Sequence, residues 1–207
     1  MISNDNLPFI ETDIPDSLNF ALFIRYRFIK PFPLNNKTFF IKKYSCLFDL
    51  ANCQSQKKLL YLWNHWWNDL IQKRVRINQH WRIRHGIDPE DNFLSMNETP
   101  ELKELCMASW DIFTKWWYDS NEGRMALRTL EKQYDFCDVI KNLDNYKRSQ
   151  QINLRPFSQY IDYVFGYVEG IIDINNYYTL INITSNTSKE YLDSLILNKI
   201  KDSVLNE

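Results

Sequence analysis

The sequence predicts a mainly α-helical chain, folded as one compact, bundle-like domain over residues 1–207, and three observations carry that expectation. Glycine is confined to Gly86, Gly123, Gly166 and Gly170, too few for the many tight turns of a β-rich fold. From Gln56 to His85 there is neither Pro nor Gly, and large apolar residues recur at helical spacing. Thr99-Pro100-Glu101 places a capping residue, a first-turn Pro and a first-turn acid ahead of a second apolar stripe.

Taken in order, residues 1–16 contain Pro8 and Pro15 and read as an irregular polar lead-in. In ALFIRYRFIK (21–30), Leu22, Ile24, Tyr26 and Phe28 share one parity while Arg25 and Arg27 hold the other, which is strand spacing. Pro31 and Pro33 interrupt it, and KTFFIKKY (37–44) offers a second strand or a helix start. A small N-terminal β-ribbon is one reading of this stretch, and an N-terminal helix is the other. The Trp-rich segment then predicts a helix from Ser55 or Gln56 to His85, closed by Gly86 and Pro89. Trp63, Leu70 and Ile77 fall seven apart, with Leu59, Leu60, Trp66, Trp67 and Trp81 beside them. The next helix reads through Leu102, Leu105, Ser109, Ile112, Phe113, Trp116 and Trp117, and a third spans about Asn121 to Leu143. RPFSQYIDYVFGYVEGII (155–172) suits a fourth, buried helix, with Gly166-x-x-x-Gly170 allowing close packing. A short strand is expected in 174–187, and an amphipathic helix starts at Ser188.

Trp63-x-x-Trp66-Trp67-x-Asp69 is echoed by Phe113-x-x-Trp116-Trp117-x-Asp119. Two helices presenting large side chains to a common core explain the echo more simply than two walls of a ligand site.

The formal net charge of −1 hides a strong polarity. Residues 54–87 carry seven Lys and Arg against Asp69 alone, and residues 88–122 carry nine acids against Lys103 and Lys115. An antiparallel hairpin of the two helices would let these charges neutralise one another. The apolar stripe also thins out along the Trp-rich helix, where Lys73, Arg74 and His80 take positions that Leu59, Leu60, Trp66 and Trp67 hold earlier. Residues 59–71 therefore read as core and 73–85 as surface.

Little points to chemistry. His65, His80 and His85 lack ligand spacing, so no metal is expected, and no phosphate loop, dinucleotide fingerprint or hydrolase elbow is present to hold a cofactor or nucleophile. Cys46, Cys53, Cys106 and Cys137 form no C-x-x-C pair. No apolar run reaches the ~18–20 residues of a membrane span, and the first twenty residues lack the pattern of a signal peptide, so a cytoplasmic location with free thiols is expected.

The run Arg74-Val-Arg-Ile-Asn-Gln-His80 resembles the Arg-x4-6-His pattern of the all-α HEPN ribonucleases. The resemblance covers seven residues, and Val75 stands where that family often has a polar residue. It implies a ribonuclease in which Arg74 meets the charge of the scissile phosphate and His80 moves the proton.

The leading expectation is a non-enzymatic binding protein, an inhibitor of a protein partner in the manner of an immunity protein or antitoxin. Its candidate contacts are Arg74, Arg76, Trp81, Arg82 and Arg84 on a basic face, and Glu90, Asp91, Glu98, Glu101 and Glu104 on an acidic one. Nucleic-acid binding by the basic 73–85 face is a further alternative, since Arg and Lys interleaved with Trp81 suit phosphate contacts and base stacking.

Overall fold

The computed structural model describes residues 9–29, 56–79, 93, 96–132, 136–150, 158–165, 170–175, 178–183 and 187–205. The chain is mainly α, as expected. Its elements are β1 (Phe9–Asp13), α1 (Asp16–Phe28), α2 (Gln56–Gln79), α3 (Pro100–Trp117), α4 (Gly123–Glu131), α5 (Phe136–Gln150), β2 (Ser158–Phe165), β3 (Gly170–Asn175), β4 (Tyr178–Ile183) and α6 (Lys189–Leu205).

One four-stranded sheet, in the order β1-β2-β4-β3, joins the two ends of the chain. Phe9–Asp13 runs parallel to Ser158–Asp162, and Tyr160–Phe165 runs parallel to Tyr178–Ile183. β3 closes the far edge antiparallel to β4, with an irregularity between Asp173 and Asn175. The lead-in expected over 1–16 is thus corrected: residues 9–13 are a strand and Asp16 opens a helix.

Two further assignments are exchanged. Of the two readings of 21–30, ribbon and helix, the helix is the one found, residues 21–28 lying in α1, while residues 30 and 37–44 lie outside the described residues. Apart from Arg25, Tyr26 and Arg27, nearly every side of this helix is buried, from Ser17 and Leu18 round to Ile24 and Phe28. A helix that is apolar all round loses its period, so the alternation in its middle carried no information about strand. Pro15 precedes it, and Asp16 places a negative charge at its N-terminus. Conversely, the expected fourth helix over 155–172 contains strand β2 and the start of β3. Residues 159 and 161–165 are all buried. A strand covered on both faces shows a continuous apolar run instead of an alternation.

The other helices follow their signals closely. α3 begins at Pro100 as expected, but Thr99 makes no side-chain cap; its hydroxyl donates to the Met96 carbonyl at 3.2 Å. The third expected helix is divided into α4 and α5. Gly123 at the start of α4 has φ +52°, where a side chain is strained. A Cβ there would lie 2.5 Å from the Trp117 Cα and 2.6 Å from the Trp116 carbonyl oxygen, so only Gly lets the chain turn back over the end of α3. The strand expected in 174–187 is β4, and α6 starts one residue after Ser188.

α1 forms the axis of the core. Phe20 meets Trp66 of α2 edge-on at 6.1 Å and Trp110 and Phe113 of α3 at 4.9 Å each. Trp63 donates its indole N–H to the Ala21 carbonyl at 2.7 Å. Trp116 packs on Phe165 at 5.0 Å, carrying the aromatic layer to the sheet. The Trp and Phe residues of the two echoed motifs therefore share one core.

Asn19 of α1 completes the sheet where β1 stops. Its amide donates to the Tyr163 carbonyl at 3.2 Å, and its oxygen accepts from the Phe165 N–H at 3.0 Å. Those are β2 backbone groups beyond the last β1 partner, Asp162, and buried peptide groups need such substitutes.

Candidate functional site

Two features stand out, one inside and one outside. The inner one is an ionic cluster on a single face of the sheet. Asp13 and Asp162 are register partners on adjacent strands, so their side chains leave the same face. Arg74 reaches that face from α2. Its Nε donates to Asp162 Oδ2 at 2.7 Å and its Nη2 to Asp162 Oδ1 at 2.6 Å, a bidentate pair, and Nη2 also meets Asp13 Oδ2 at 3.0 Å. Tyr178, at the start of β4, donates its hydroxyl to Asp162 Oδ2 at 2.6 Å.

The electrostatics follow from burial. The Asp162 side chain is 2% exposed, that of Arg74 11%, and that of Asp13 48%. Burial raises the Asp162 carboxyl above its ordinary range, against the donors of Arg74 and Tyr178. Burial alone would lower the Arg74 guanidinium, but Asp162 and Asp13 together hold it above its ordinary value, so it remains charged. The Tyr178 phenol is raised first by burial and then by the Asp162 charge. What the cluster does is fasten α2 to β1, β2 and β4. Asp162 was legible in the sequence as the lone acid within SQYIDYVF (158–165), because an acid in an apolar element requires a cation.

The outer feature is the surface shared by α2 and α3. Lys58 pairs with Glu101 across the two helices, both near their N-termini, and Trp66 and Trp110 further along both meet Phe20. The helices therefore run side by side in the same direction, not as the antiparallel hairpin the charge pattern had favoured. Lys58, His65, Asp69, Gln72 and Arg76 recur at helical spacing along the exposed side of α2. Tyr61 is 63% exposed and stands edge-on to His65, with ring centroids 5.5 Å apart. On α3 the exposed row is Glu101, Glu104, Ala108, Asp111 and Lys115, flanked by Met107 at 47% exposure.

The residues singled out in the sequence divide among these places. Arg74, expected at the surface, is buried in the ionic cluster: the strand acids Asp13 and Asp162 draw it inward, and none of the described acids within 88–122 bonds to it. Arg76 is exposed on α2, Glu98 is exposed just before α3, and Glu101 and Glu104 are exposed in its first turns. Glu101 is the one of these four with an ion pair among the described residues. His80, Trp81, Arg82, Arg84, Glu90 and Asp91 lie outside the described residues. Among the described residues no group of His, Cys, Asp and Glu could hold a metal, and Cys106 is a free, buried thiol whose pKa burial raises. No helix among them is long and apolar enough to cross a membrane. Compared with protein-family models, curated proteins and solved structures, the chain matches none.

Proposed function

We propose that the protein binds and restrains a partner protein, without chemistry of its own, as a cytoplasmic inhibitor of the immunity-protein or antitoxin kind. The observation that supports this reading is the exposed row on α3, where Glu104 and Asp111 stand one turn to either side of the half-exposed Met107 and Glu101 lies a turn further back. Acids on both sides of an exposed apolar side chain suit a partner with a basic face, such as a nuclease-type toxin, because complementary charge speeds approach and excludes wrong partners. The state of Arg74 favours binding over the HEPN-like alternative. Its Nε and Nη2 are committed to Asp162 and Asp13, whereas a scissile phosphate would need them free.

The test is quantitative co-precipitation from the native host with three tagged chains: wild type, E101K/E104K/D111K, and E190K on the exposed start of α6 as control. A basic protein retained by wild type and by E190K but lost from the triple variant is the expected result. Retention that ignores the α3 reversal overturns the acidic face. RNA cleavage by the purified chain that disappears on His80→Ala would overturn the non-enzymatic reading.

A further inference from the structure

We draw no further inference here: the strongest candidate, the exposed face that α2 and α3 share, belongs to the surface already described, and nothing in the structure shows what else covers it.

Discussion

Replacing Arg74 by Met tests whether the ionic cluster holds α2 to the sheet. Met keeps much of the aliphatic stem and removes both donors that reach Asp162, at 2.7 and 2.6 Å. Asp162 then retains the Tyr178 hydroxyl at 2.6 Å as its remaining side-chain donor among the described residues. Removing one partner of a buried ion pair costs about 3–5 kcal/mol, because the other charge is left in an apolar setting. At ~2–4 °C per kcal/mol for a chain of this size, Tm should fall by roughly 6–20 °C. The loss should depend on pH. Burial already raises the Asp162 carboxyl, and loss of the guanidinium raises it further. An acid whose folded pKa exceeds its unfolded value takes up a proton on folding, so its stabilising contribution is present at low pH and lost as pH rises through the folded pKa. The R74M deficit therefore grows as pH rises from below the ordinary carboxylate range, by up to about 1.4 kcal/mol for each pH unit over which Asp162 titrates. Urea unfolding followed by Trp fluorescence reads this directly, since Trp63, Trp116 and Trp117 are buried. R74M/D162L is the companion variant. With both charges gone and Asp13 half exposed, it should recover most of the lost stability, as apolar replacement of buried pairs often does. An R74M loss below about 1 kcal/mol, or a double variant no more stable than R74M, would refute the clamp.

Two further substitutions test the packing around α3. Gly123→Ala forces a side chain into a positive-φ residue and against the Trp117 backbone, so we expect a loss of at least ~1–3 kcal/mol from strain alone, measured by the same urea titration. A near-neutral result would mean that the turn between α3 and α4 can relax. Ser109 is 1% exposed, and its hydroxyl has no hydrogen-bond partner among the described residues. Ser109→Ala should therefore leave stability unchanged or raise it by about 1 kcal/mol, and a clear loss would reveal a partner for the hydroxyl.

The readable parts of the sequence were those in which a local signal and the tertiary setting agree. Thr99-Pro100 marks the start of α3 because Pro lacks only an N–H that a first-turn residue does not need. α2 shows its period because Lys57, Tyr61, Asn64 and Asn68 face solvent while Leu59, Trp63 and Leu70 face the core. Where an element is buried all round, the signal vanishes, which is why α1 resembled a strand and β2 a helix. For β2 a usable cue remained: Tyr160, Ile161, Tyr163, Val164 and Phe165 are β-branched or aromatic, and glycines follow at 166 and 170. The pairing of residues 9–13 with 158–162 had no local signal, since it joins segments almost 150 residues apart. Of the site, the acids at the start of α3 were legible as a charged surface. The inward turn of Arg74 was not, because it depends on Asp13 and Asp162 arriving from both ends of the chain.

That inward turn changes how the charge of the Trp-rich helix should be counted. Arg74 and Arg76 are two residues apart, so they cannot share a helix face: one enters the sheet cluster and the other meets water. Arg74 thus contributes nothing to the outer surface. Lys73 is drawn to Asp69 one turn away, and Lys58 to Glu101 on α3. Exposed pairs of that kind add little stability, typically below about 1 kcal/mol, but they do consume surface charge. Of the described cations on α2, Lys57 and Arg76 remain exposed without an acid among the described residues, and they sit at opposite ends of the helix. On α3, Glu104 and Asp111 are likewise without a described cation and stand on either side of Met107, with Glu98 just before the helix. Counted the same way, α2 keeps Lys57 and Arg76, while residues 98–115 keep Glu98, Glu104 and Asp111 beside Lys103 and Lys115, so the described surface of the two helices carries both signs. The charge reversal is placed on α3 because Glu104 and Asp111 are the exposed acids one turn to either side of Met107, the surface on which the proposal rests.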